Sequence, residues 1–117
     1  GGGKVRIELT HMGKTLMREY DLEDMQIKRP KRWDSEWRVV IYDIPIHKRK
    51  ASNAFREKLR QLGLYQLQRS VWVYPYDCIA EIEFLSAVFE IDINSCICHF
   101  HVKNIPHRRE LKAFFQL

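Results

Sequence analysis

From Trp37 to Ile44 the chain reads Trp-Arg-Val-Val-Ile-Tyr-Asp-Ile, which is apolar on both faces when laid out with a period of two. Such a run suits a strand covered on both sides, so this segment predicts the centre of a sheet. The period then changes. Between His47 and Leu62 the residues Ala51, Phe55, Leu59 and Leu62 recur at helical spacing, and Gly63 stands where a helix stops. Leu64–Leu67 and Ser70–Tyr74 read as two short strands, the second closed by Pro75. Asp77 is placed to cap a second helix that runs to about Phe89, with Ile82, Leu85 and Phe89 as its buried stripe. Ser95–Val102 is a further strand. Pro106 opens a short C-terminal helix carrying Leu111, Phe114 and Phe115.

The order from residue 37 is therefore β-α-β-β-α-β, which predicts the α+β class and a ferredoxin-like plan. Two helices lie on one face of a four-stranded antiparallel sheet and leave its other face to be covered. The chain has fourteen aromatic residues, among them Trp33, Trp37 and Trp72, more than a one-sided core of this size needs. The expected cover is a second copy of the chain, meeting the open sheet face and the C-terminal segment in a two-fold homodimer.

The residues before Trp37 follow other patterns. Gly1-Gly2-Gly3 (1–3) is set aside as a cloning scar. Lys4–Thr10 alternates Val5, Ile7 and Leu9 with Arg6 and Glu8, as a half-buried strand does. Met12, Leu16, Met17 and Tyr20 predict a helix to follow it. One strand and one helix cannot form a core. Residues 4–27 are thus an arm on the main domain or the remnant of an upstream one, and residues 28–36 form a basic linker. Its Lys28, Arg29, Lys31 and Arg32 around Pro30 either grip phosphates or keep a hinge soluble.

Composition narrows the classes. No apolar run approaches the ~20 residues of a membrane helix, so a transmembrane protein is excluded. Three cysteines in a chain with a proper core do not suggest a disulfide framework, which points to a reduced, cytoplasmic setting. The net charge of +5 is unevenly spread. Residues 28–72 hold twelve Lys and Arg against four acids, while the segments on either side are slightly acidic. Such asymmetry suits either a phosphate-bearing partner or a solvated surface.

Few residues offer chemistry. Asp43 closes a very apolar strand, where a carboxylate needs a partner or a cation. Mg²⁺ takes one or two protein carboxylates and keeps its waters, so one Asp43 per subunit suffices in a symmetric dimer. The alternative is that Asp43 caps the Pro45 turn or pairs with an arginine of the first helix. That helix carries Lys48, Arg49, Lys50, Arg56, Lys58 and Arg60 against Glu57 alone, with Arg49, Arg56 and Arg60 on one exposed stripe. Cys96, Cys98, His99 and His101 resemble a metal box, but on a strand the cysteines face one way and the histidines the other. Four ligands cannot then converge, so buried cysteines beside exposed histidines are expected. No Ser-His-Asp order, phosphate-cradling glycine loop or paired-carboxylate motif is present.

The words Trp37–Pro45, the basic helix and the stretch Gly63–Pro75 resemble the Cas-two family of CRISPR-adaptation proteins. More closely, they resemble the Cas-two-like central domain of PaaX-type transcriptional repressors, so residues 37–117 are expected to form such a domain. In those repressors a winged-helix domain comes first, and residues 4–27 resemble its end. The resemblance implies a homodimer associated with double-stranded DNA, and the charge pattern makes Lys48, Arg49, Lys50, Arg56 and Arg60, helped by Lys28, Arg29, Lys31 and Arg32, the expected contacts to its phosphates. The alternatives are a scaffold for an integrase subunit in CRISPR adaptation, or a Mg²⁺-dependent endonuclease with Asp43 as its catalytic and metal-binding residue.

Departures from the nuclease pattern are plain. The family's arginine-any-glutamine-any-serine signature falls on Gln66, Gln68 and Ser70, without the arginine, and Arg69 sits one place off the matching polar position. Acids after the first strand are absent from Ile44-Pro45-Ile46-His47-Lys48, and Trp72-Val73 replaces a phenylalanine-glutamate pair. Val71-Trp72-Val73 with Pro75 is similar to the repressor version. Little or no nuclease activity is expected.

Overall fold

Residues 3–11 and 13–117 are described by a computed structural model. Gly1 and Gly2 of the expected scar, and Met12 of the expected N-terminal helix, lie outside the described residues. The chain forms β1 (Lys4–His11), β2 (Lys14–Asp21) and β3 (Trp37–Tyr42), a 3-10 turn at Ile46–Lys48, then α1 (Arg49–Gln61). There follow β4 (Tyr65–Gln68), β5 (Val71–Tyr74), α2 (Ile79–Val88), the single turn α3 (Ile93–Cys96), β6 (Ile97–Val102) and α4 (Arg108–Phe115).

The double-sided apolar run lies at the centre, as its pattern requires. Strand β3 pairs antiparallel with β5 on one side and β6 on the other, and β4 pairs with β5, giving the order β4-β5-β3-β6. Each helical crossover skips one strand, which is the ferredoxin-like α+β arrangement predicted from the element order. Strand alternation then sorts the side chains. Tyr42 meets Phe55 of α1 edge-on at 5.3 Å, so Arg38, Val40 and Tyr42 face the helices. Trp37, Val39 and Ile41 face the opposite way. Arg38 is neutralised by a two-pronged pairing with Asp34, at 2.8 and 2.6 Å, and its guanidinium also donates to the Pro75 carbonyl at 2.9 Å.

The two crossover helices differ. Helix α1 buries Phe55 and Leu59 completely and turns its charged residues outward. Its C-terminus closes at Gly63, whose φ of +96° is a left-handed conformation that favours glycine. Helix α2 is covered on more than one side: Ile82, Phe84 and Leu85 are fully buried, and Glu81 and Ser86 are largely buried. The Ser86 hydroxyl is satisfied within the helix by the Ile82 carbonyl at 2.7 Å.

The N-terminal hairpin packs on the side of α2 away from the sheet. Tyr20 lies edge-on to Phe84 at 4.7 Å, and its hydroxyl donates to the Glu81 carboxylate at 2.5 Å. This corrects the helix expected over Met12–Tyr20: β2 pairs along its whole length with β1, from Lys4 opposite Asp21 to His11 opposite Lys14. Leu16 and Tyr20 satisfy a period of two as well as a helical one. Pairing with Leu9 and Val5, and the apolar back of α2, decide in favour of the strand. Gly13, at φ +76°, supplies the turn. A two-stranded hairpin is marginal alone, and its packing on α2 stabilises it.

Between hairpin and sheet the chain is a strap without regular structure. Ile27 is buried in the core, and Trp33 stacks edge-on against Trp37 at 4.7 Å. Lys28, Arg29, Lys31 and Arg32 are exposed. On the sheet face away from α1 and α2, α4 covers only one end, with Phe115 against Trp37 and Phe114 against Tyr65. Phe100 and Phe114 remain 42% and 56% exposed.

The Cys-His segment also departs from expectation. The strand predicted from Ser95 begins at Ile97, because Asp92 caps a helical turn by accepting the Asn94 amide, and this turn holds Ser95 and Cys96. Cys98 is exposed and Cys96 half-buried, so neither is the buried cysteine expected. The physical reason is that β6 is an edge strand, paired only with β3 and incompletely covered on either face. No helix among the described residues is long and apolar enough to cross a membrane.

Candidate nucleic-acid interface

The basic character of α1 begins where Pro45 ends the extended chain. The Pro45 carbonyl accepts the Lys48 amide and starts a 3-10 turn that runs straight into α1. Phe55 and Leu59 point the helix into the core, so the remaining sides hold Arg49, Lys50, Asn53, Glu57 and Arg60 in solvent. Arg56 is half-buried.

These cations are not equivalent. Arg60 pairs with Glu57 at 2.8 Å, and its guanidinium lies 6.0 Å from the centre of the Trp72 ring. Lys48 donates to the Glu90 carbonyl, and Lys58 to the Leu22 carbonyl at 2.6 Å. These three side chains tie α1 to its neighbours. Arg56 donates to Asn53 Oδ1 at 3.2 Å, a neutral partner. Among the described residues, Arg49, Lys50 and Arg56 form no ion pair.

Beside the start of α1 lies a shallow cleft of about 190 Å³. Its polar lining is Arg49, Ser52, Asn53 and Arg56 from α1, with Arg69 and Ser70 from the turn between β4 and β5; its apolar wall includes Ile44, Pro45 and Ile46. The turn is fixed in place. The Ser70 carbonyl accepts the Tyr42 amide at 3.2 Å, and the Gln66 side chain donates to the Arg69 carbonyl at 3.0 Å. Among the described residues, no carboxylate lines this cleft.

The fold thus brings together two of the three arginines expected on one stripe, Arg49 and Arg56. Arg60 is turned to Glu57 and Trp72 and does not line the cleft. Lys28, Arg29, Lys31 and Arg32 lie elsewhere on the strap, where Arg29 reaches the Tyr74 hydroxyl. Burial holds that phenol above its ordinary range, against the pull of Arg29. Arg69 and Ser70 were not among the binding residues expected from sequence. They stand at the Gln-Arg-Ser end of the family signature, which marked the place without revealing that the turn meets α1.

Asp43 follows β3 directly, and its backbone amide donates to the Cys96 carbonyl at 2.8 Å. Its side chain is exposed, so the desolvation that made it conspicuous in sequence is absent. No group of three or more His, Cys, Asp or Glu placed to hold a metal ion occurs among the described residues.

A family model described as the PaaX protein central Cas2-like domain matches residues 30–112. Comparison with curated proteins and with solved structures gives no match. The matched span includes the whole four-stranded sheet, both crossover helices and the basic cleft. With that span exceeding two thirds of its length, the chain belongs to the family of the PaaX protein central Cas2-like domain.

Proposed function

We propose that this chain is the self-pairing, DNA-associated module of a PaaX-like transcriptional regulator. The observation that carries the reading is that, among the described residues, Arg49 and Arg56 of α1 form no ion pair and border a cleft lined by no carboxylate. A surface serving solubility alone needs no such segregation, whereas a polyanion rewards it by releasing counterions. The apolar residues left exposed on the far sheet face support pairing with a second copy. The hairpin and strap at residues 4–27 suit the end of a winged-helix unit that reads sequence, with the present module supplying assembly and backbone contacts.

The test is duplex binding as a function of salt. Fluorescence anisotropy with a short labelled duplex is expected to give a dissociation constant of about 10⁻⁴ to 10⁻⁶ M, with little dependence on sequence and a steep loss on adding salt. Absence of binding at low salt rejects the DNA reading. Light scattering at tens of micromolar is expected to report twice the 14.1 kDa chain mass, and a 14.1 kDa species rejects the pairing.

A further inference from the structure

We propose that the cleft between the start of α1 and the β4–β5 turn seats a single phosphate group of a nucleic-acid backbone, held by Arg49, Arg56 and Arg69. The inference rests on the DNA reading above and goes beyond it by assigning one site, and by giving Arg69 and Ser70 a role.

Charge is the first argument. Three guanidinium groups line about 190 Å³ of space, and among the described residues none of them forms an ion pair. Like charges so placed repel one another, and an anion between them turns that repulsion into attraction. Of the other cations near α1, Arg60 is engaged by Glu57, Lys48 by the Glu90 carbonyl and Lys58 by the Leu22 carbonyl, while Lys50 is exposed and does not line the cleft. The free guanidinium groups are the ones that share the cleft.

Donor chemistry is the second. Guanidinium forks match phosphate oxygens in geometry. The Ser52 and Ser70 hydroxyls add neutral donors, and Asn53 accepts from Arg56 through Oδ1, which leaves its amide nitrogen to donate. The first turn of α1 carries no acidic residue and no side-chain cap, so its positive end borders the same space. The volume is more than ten times the ~10–15 Å³ that admits one water, which leaves room for a phosphate group and its ordered waters.

Preorganisation is the third. The turn bearing Arg69 and Ser70 is held by Gln66 and by the Tyr42 amide, and Pro45 with the 3-10 turn fixes the opposite wall. Little backbone ordering is left to oppose binding.

The experiment measures duplex affinity between 50 and 200 mM salt for the full chain and for Arg69→Gln, Arg56→Gln and Arg60→Gln, with circular dichroism to confirm folding. One phosphate contact contributes about 0.9 to the slope of log affinity against log salt, or roughly a three- to fourfold loss across that range. Arg69→Gln and Arg56→Gln are expected to weaken binding and reduce the slope by about one unit, while Arg60→Gln leaves the slope unchanged. Wild-type affinity and slope in Arg69→Gln overturn the seat while leaving the DNA reading intact. A second arm titrates inorganic phosphate at matched ionic strength and follows the arginine side-chain N–H signals by NMR. Shifts confined to Arg49, Arg56 and Arg69 are expected. If those shifts occur but no duplex binds, the DNA reading falls and the site stands as one for free phosphate; if no signal of the three moves, the seat is wrong.

Discussion

Helices α1 and α2 occupy equivalent places in the fold, each crossing between two strands on the same sheet face, yet they meet opposite surroundings. The outer side of α1 is open and basic, and its core contact is carried by Phe55, Leu59 and the adjoining Leu62. The outer side of α2 is covered by the hairpin, and even Glu81 and Ser86 are buried on it. The difference teaches that a ferredoxin-like scaffold needs only one side of each helix. What the sequence places on the other side decides whether the helix meets solvent, as α1 does, or another piece of its own chain.

The contrast can be broken most severely at Phe84, which packs inside α2's double covering. Phe84→Ala is expected to lower stability by about 3–5 kcal/mol in urea unfolding, because the surrounding layers cannot collapse to fill the gap. A loss below 1 kcal/mol would show that the hairpin does not truly cover α2.

Tyr20→Phe sharpens the comparison. It keeps the ring against Phe84 and removes the hydrogen bond to Glu81, leaving that buried carboxylate without its partner. The expected cost is about 1–3 kcal/mol, and an unchanged urea midpoint would show that water replaces the hydroxyl.

Alkaline pH probes the same interface more gently. Burial, then the hydrogen bond to Glu81, pushes the Tyr20 phenol up to about 12, and burial pushes the Cys78 thiol up to about 12. The folded state holds both protons more tightly than the unfolded chain. Stability is therefore fully present below about pH 9 and falls as pH rises from there to about 12. Comparing urea midpoints at pH 8 and pH 10.5 checks this, and Tyr20→Phe is expected to lose less between the two than wild type does.

The smallest stability effects belong to α1. Arg49→Glu or Lys50→Glu is expected to change stability by no more than about 0.5 kcal/mol, and Arg60→Ala by about 0–1 kcal/mol through its exposed pair with Glu57. Arg49→Glu is nonetheless expected to weaken duplex binding in the anisotropy assay. If stability falls by several kcal/mol instead, the outer side of α1 serves the fold and not a partner.

Periodicity made the central strand and α1 legible, because each satisfies one period clearly: Trp37–Tyr42 on two faces, Phe55 and Leu59 on one. Helix α2, apolar on more than one side, was placed by its length and by its position between strands, and its fully buried Phe84 lay outside the expected stripe. The second strand of the hairpin was illegible for the converse reason. Leu16 and Tyr20 fit either period, and the surface that decides between them belongs to α2, some sixty residues on. The burial expected of Cys96 failed on a local detail, since the Asp92 cap makes a helical turn where alternation suggested a strand, and that of Cys98 failed because β6 is an edge strand. At the candidate site, the basic side of α1 could be read from composition and spacing. Its pairing with Arg69 and Ser70 could not, because proximity across a crossover leaves no mark on either segment.

Strand order also sets a timetable. The most apolar strand, β3, needs β6 on one edge, and 54 residues separate Tyr42 from Ile97. At about 5–20 residues per second of synthesis, that edge waits roughly 3–11 seconds for its partner. The other edge is served sooner, by β5. During the interval Val39, Val40 and Ile41 form part of an unpaired, β-branched margin on a nascent chain. The basic helix that emerges meanwhile gives the growing chain a strong positive charge, which works against the encounter of two such margins on neighbouring ribosomes.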